Sequence, residues 1–151
     1  MKKIFLLLFI IIATGCTSND NEGTELTFPN KLATRNFTVM APNGWKLIEE
    51  QGIDTYIGRI TNGNLTIYFD QGFLCCPDLN SIEKTENTIY LKTLSINGTP
   101  AKMHKEYIPQ EDRIRLSLYL EVEDEYRNRL YAMDPKNEDL IIQIFKTHRI
   151  R

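Results

Sequence analysis

The chain has 151 residues, 42% of them hydrophobic and 25% charged, an ordinary globular composition that fits one domain and excludes a wholly disordered, collagen-like or multi-spanning membrane protein. The formal net charge is -2 with pI near 5.7, so no global basic field is present to hold nucleic acid.

Residues 1–15 read as a secretory signal peptide rather than as part of the fold. Lys2 and Lys3 form a positive start, Ile4 to Ile12 is an unbroken apolar run of nine residues, and Ala13, Thr14 and Gly15 are small. A run of that length falls well short of the roughly 20 residues that span a bilayer. The segment Ala13-Thr14-Gly15-Cys16 resembles the lipobox of bacterial lipoproteins, with Ala13 where Leu is usual. That resemblance implies cleavage before Cys16, a diacylglyceryl group on its thiol and acylation of the new amine by a fatty acid such as palmitate. It also implies a place in the cell envelope, as an outer membrane lipoprotein. At about 0.8 kcal/mol per buried methylene, two or three acyl chains make a permanent anchor. Residues 16–36 follow as the lipidated Cys and a polar, flexible tether, which at about 6 Å × √n reaches on the order of 25 Å.

Residues 37–151 are expected to form one antiparallel α+β domain: a single sheet of about six to eight strands with a C-terminal helix packed on one face. Phe37 to Ala41 reads as a strand stopped by Pro42-Asn43-Gly44, and Trp45 to Glu49 as a second. Tyr56 to Thr61 and Leu65 to Asp70 flank Asn62-Gly63, which suits a two-residue hairpin turn. That turn puts Tyr56 opposite Phe69, Gly58 opposite Ile67 and Thr55 beside Asp70. Ile89 to Ile96, Pro100 to Tyr107 and Arg113 to Glu123 are further strands, with Asn97-Gly98 turning the first into the second, and Arg129 to Ala132 is one more. Ile114, Leu116, Leu118, Leu120 and Val122 point inward; Arg115, Ser117 and Tyr119 are assigned to a wet face, where Glu106 meets Arg115 and His104 meets Ser117. Asp134 as N-cap and Pro135 at N1 begin the helix, whose stripe is Leu140, Ile141, Ile144 and Phe145, with His148 near its end.

The order Phe37-x-Val39-x-x-Pro42-x-x-Trp45, then Ile96-Asn97-Gly98-x-x-Ala101, then Phe145-Lys146 at the end of the helix, is similar to the PsbP-like superfamily. The resemblance implies an α/β/α sandwich and an accessory or binding role rather than catalysis. The segment 71–88 departs from it, because it holds Cys75-Cys76-Pro77 and no apolar helical face.

Candidates for chemistry are few. Cys75 and Cys76 are adjacent and lie in an oxidising compartment, so they are candidates for a strained vicinal disulfide or for two reduced thiols on a loop. Only His104 and His148 could add imidazole ligands, neither at a metal-binding spacing, so no metal or other cofactor is expected. No Gly-x-Ser-x-Gly is present, and no catalytic residue is assigned. Asp54, Thr55 and Asp70 form a polar cluster beside the first hairpin and are the candidate ligand groove, with turn chemistry as the plainer account. The expected protein is therefore a monomeric, non-enzymatic binding or accessory lipoprotein. Its partners would be the membrane through Cys16 and a protein, glycan or small ligand, not nucleic acid. Two alternatives are an envelope hydrolase using carboxylates such as Asp54, Asp70, Glu121 and Glu123, and an inhibitor or immunity lipoprotein with an exposed aromatic patch.

Overall fold

The computed structural model describes residues 28–122 and 127–151. Its strands are β1 Asn30–Ala33, β2 Phe37–Ala41, β3 Lys46–Gln51, β4 Tyr56–Thr61, β5 Thr66–Gly72, β6 Thr88–Ile96, β7 Thr99–Ile108, β8 Arg113–Glu121, β9 Arg127–Met133 and β10 Arg149–Ile150, with one helix, α1 Glu138–Lys146, between the last two. They form two antiparallel sheets, not one: a large sheet ordered β3-β4-β5-β9-β8-β7-β6 and a small one ordered β1-β2-β10. This overturns the expected single sheet with a packed helix, since the fold is mostly β and the helix shares its side of the core with a second sheet. The physical reason lies in β2. Phe37, Thr38 and Val39 are buried in succession instead of alternately, so both faces of the strand are covered and its edges need partners. Those partners are the four residues of β1, within the stretch read as tether, and the two of β10.

The core lies between the sheets. Ile60, Ile67, Phe69, Leu116, Leu118, Leu120 and Leu130 project from the large sheet onto Phe37, Val39 and Ala41 of β2, Trp45, and the helix residues Ile141, Ile144 and Phe145. Packing of this kind contributes about 1.5–3 kcal/mol for each fully buried large side chain.

The opposite face of the large sheet departs from the expected wet surface. Ser117, Tyr119 and His104 are all buried. Residues 73–87 cross this face as a strap, and Cys76, Leu79 and Ile82 pack on Tyr119 as a second apolar cluster. Two cations fasten the strap by its backbone: Lys102 Nζ donates to the Ile82 carbonyl and Arg127 Nη1 to the Cys76 carbonyl, each at 2.8 Å. His104 then hydrogen-bonds Thr88 Oγ1 at 3.0 Å instead of water.

Turn chemistry decides the registers. Asn97 and Gly98 take φ of 49° and 87° in a two-residue turn. The β7–β8 pairs are those expected, Ala101 with Leu120, Met103 with Leu118 and Tyr107 with Ile114. The β4–β5 hairpin is instead shifted by two residues, with Tyr56 opposite Gln71 and Gly58 opposite Phe69. Asn62 Oδ1 accepts from the amides of Asn64 and Leu65 at 3.0 and 2.8 Å, so the loop closes over four residues instead of two. A two-residue shift keeps every side chain on its face, but it sets Asp70 opposite Ile57 instead of beside Thr55. The helix is capped by Asn137, not Asp134. Asp134 sits at φ 44°, and its carboxylate accepts from Arg113 Nε and the Ile114 amide.

The row Gln51, Tyr56, Gln71, Asn128, Leu120, Ala101 marks one end of the large sheet. Residues 34–36, 52–55, 72–76, 97–98 and 148–151 gather at this end, while residues 28–30, 42–45, 62–65, 109–112 and 134–137 lie at the other.

Candidate functional site

Two polar residues interrupt the inward face of the large sheet at its Gln71 end. In β5 the inward series Ile67, Phe69 ends on Gln71, and in β9 the series Ala132, Leu130 ends on Asn128. Both amides are buried, Gln71 at 2% and Asn128 at 0% exposure. A cleft of about 410 Å³ opens over them, walled by Arg35, Asn36, Ile150 and Arg151. Asn36 Nδ2 donates to Gln71 Oε1 at 3.2 Å. Asn128 Nδ2 donates to Nε2 of His148 at 2.7 Å, while Asn128 Oδ1 has no hydrogen-bond partner among the described residues. His148 is almost wholly buried and stacks on Phe37 with centroids 4.9 Å apart. Burial alone pushes its pKa down to about 4, so the ring near the helix end is a neutral core group.

A second, more open groove of about 680 Å³ adjoins the cleft and shares Arg35 and Gln71 with it. Asp54 and Thr55 line this groove together with Glu49, Tyr56 and Phe73. The tight turn over Gly52 forms its rim: a Cβ added there would lie 2.3 Å from the Thr55 carbonyl oxygen, so no side chain fits. Tyr56 donates to Glu49, and the Arg35 guanidinium lies 4.9 Å from the Tyr56 ring centroid. Burial, then the bond to Glu49, raises the Tyr56 phenol to about 12.

Asp70 does not join Asp54 and Thr55. It faces the strap side, where it pairs with Arg129 Nη2 at 3.3 Å. Arg129 in turn lies 4.7 Å from the Tyr131 ring centroid. Cys75 and Cys76 sit above this pair as free thiols with Sγ atoms 2.9 Å apart. The contact between the two thiols pushes the pKa of Cys75 up and pulls that of Cys76 down against the opposing effect of burial, with Arg129 assisting. Arg127 Nη1 fixes the Cys76 carbonyl, and Cys75 Sγ approaches the Arg127 carbonyl at 3.5 Å.

The structure thus keeps Asp54 and Thr55 in one groove and moves Asp70 to another face, beside Cys75 and Cys76. Cys16 lies outside the described residues. Among the described residues, no three His, Cys, Asp or Glu side chains come together as a metal site, and no helix is long and apolar enough to cross a membrane.

Arg35, Gln71, Asn128 and Arg151 escaped the sequence reading because they belong to no motif. Gln71 and Asn128 do carry a signal, since each is an amide at the inward parity of an otherwise apolar strand.

No known protein family matches the chain, and no curated protein matches it. It is similar to a protein from Bacteroides thetaiotaomicron VPI-5482 with a crystal structure at 1.50 Å resolution, at a TM-score of 0.45 and 12% sequence identity. The likeness covers 76% of this chain and 45% of that one, so this chain spans less than half of its neighbour's length.

Proposed function

We propose that the chain is a lipid-anchored protein of the bacterial cell envelope, held at the outer membrane through Cys16, with a folded module that binds and does not catalyse. One observation carries the reading. Cys16 closes the small-residue stretch Ala13-Thr14-Gly15 directly after a positively started apolar run of nine residues. The binding role is supported by the two adjoining polar recesses at one end of the sheet. Asp54 and Asp70 face different sides of the molecule, so these two carboxylates do not form a pair.

The test is metabolic labelling with a palmitate analogue, followed by fractionation and mass spectrometry of the mature N-terminus. Labelled, membrane-bound protein beginning at an acylated Cys16, with no label in Cys16→Ser, is the expected result. An unmodified or uncut N-terminus in the wild-type protein refutes the reading.

A further inference from the structure

Cys75 and Cys76 differ from an ordinary pair of loop thiols in being held in contact. Their Sγ atoms lie 2.9 Å apart with no bond between them. The strap fixes both residues to one residue of β9: Arg127 Nη1 donates to the Cys76 carbonyl at 2.8 Å, and Cys75 Sγ approaches the Arg127 carbonyl at 3.5 Å. Cys76 also packs with Leu79, Ile82 and Tyr119 in the cluster beneath the strap. Tertiary packing, and not adjacency in the chain alone, therefore brings the sulfurs together.

Adjacency decides what a bond there would be like. Neighbouring Cα atoms stand about 3.8 Å apart across a trans peptide, below the roughly 4.4 Å at which ordinary disulfide geometry begins. Such a bond is strained, and strained disulfides are the more readily reduced ones. It would serve poorly as a permanent staple and well as a reversible couple. Exposure sets the order of events, since Cys75 is half-buried whereas Cys76 is 8% exposed.

We propose that Cys75 and Cys76 form a reversible dithiol–disulfide couple that exchanges with low-molecular-weight disulfides such as oxidised glutathione. Cys75 Sγ gives up its proton and attacks one sulfur of the small disulfide. A mixed disulfide forms on Cys75, and the first small thiolate leaves and takes the proton. Cys76 Sγ then attacks the Cys75 sulfur, closing the bond between neighbours, and the second small thiolate leaves with the Cys76 proton. The protein is oxidised by two electrons, and one small disulfide is reduced to two thiols. Contact with Cys76 pushes the Cys75 pKa up, which makes the first attack the slow step; the downward pull on Cys76 favours the closure that follows.

The experiment treats the full chain, reduced and purified in detergent, with oxidised glutathione and follows it by peptide mapping. Mapping separates the peptide holding Cys75 and Cys76 from Cys16, so the outcome does not depend on the anchor. The expected product is that peptide lighter by two hydrogen atoms, with two glutathione thiols released per chain, and an excess of reduced glutathione should reopen it. Cys76→Ser should stop at a mixed disulfide on Cys75, and Cys75→Ser should react about tenfold more slowly or less, because its remaining thiol is the buried one. In urea, where adjacency persists without the packed contact, the ratio of bridge to mixed disulfide should fall about tenfold or more. If Cys76→Ser does not fold, wild-type bridging, its reopening and the urea comparison still decide the matter. No reaction, glutathione retained on the wild-type chain, bridges between chains, a bridge that reduced glutathione leaves closed, or an unchanged ratio in urea would each overturn the proposal.

Discussion

Protonation of His148 should be a principal acid weakness of this fold. The ring is 1% exposed, stacked on Phe37 and bonded to Asn128, and burial lowers its pKa to about 4 from an ordinary 6.5. The unfolded chain takes up the proton near pH 6.5, whereas the folded chain takes it up only near pH 4. Between those values the unfolded state holds more protons, so stability rises with pH and is lost on acidification; below about pH 4 the loss levels off. The gap corresponds to about 3 kcal/mol, a large part of the 5–15 kcal/mol typical of a domain. The assay is urea unfolding from about pH 7.5 down to about pH 4.5, comparing wild type with His148→Gln. The variant is expected to be less stable at neutral pH, having lost the stacking on Phe37, but to lose less on acidification. Over that range the two curves should converge by about 2.5 kcal/mol. His104, whose pKa burial also lowers against the pull of Glu106, acts in both proteins and cancels in the difference. Curves that fall in parallel would refute the assignment of the acid sensitivity to His148.

Two further perturbations probe the scaffold. At Gly58 an added Cβ would sit 2.4 Å from both the Ile48 carbonyl oxygen and Phe69 Cζ, so Gly58→Ala should lower stability by about 3 kcal/mol, read as a fall in urea midpoint at unchanged slope; an unchanged midpoint would contradict the close packing of Phe69 across β4. Arg127→Gln removes the bond that fastens the strap at the Cys76 carbonyl, and alkylation of Cys75 and Cys76 by iodoacetamide is expected to accelerate about tenfold through local opening; an unaltered rate would show that the apolar contacts of Leu79 and Ile82 suffice.

What the sequence disclosed depended on how local the determining interaction was. The β7–β8 pairing was legible because both strands carry long alternation and a short connection fixes their register. The β4–β5 pairing was legible in its faces but not in its offset, since the Asn62 side chain, which caps two backbone amides, lengthens the loop in a way the pair Asn62-Gly63 does not reveal. The small sheet was hidden because β10 has two residues and meets β2 from the far end of the chain. The strap was hidden for a different reason: Cys76, Leu79 and Ile82 follow no helical or strand period, yet they bury one side of the sheet and turn a face that reads as polar into an interior. Of the cleft, only the inward parity of Gln71 and Asn128 was available in advance, and it becomes informative once β5 and β9 are known to be neighbours.

The small sheet also governs how the molecule would bear mechanical load. The chain enters at Phe28, at the end of the fold opposite the cleft, and β1 then runs toward the cleft alongside β2, its four residues paired from Asn30 with Ala41 to Ala33 with Thr38. A pull on the N-terminal side, resisted by something gripped at the cleft, would act along the strand axis. The ladder would then be sheared as a whole, its rungs failing together, instead of being unzipped one after another. A load applied between these two ends would thus run along the stronger direction of the ladder.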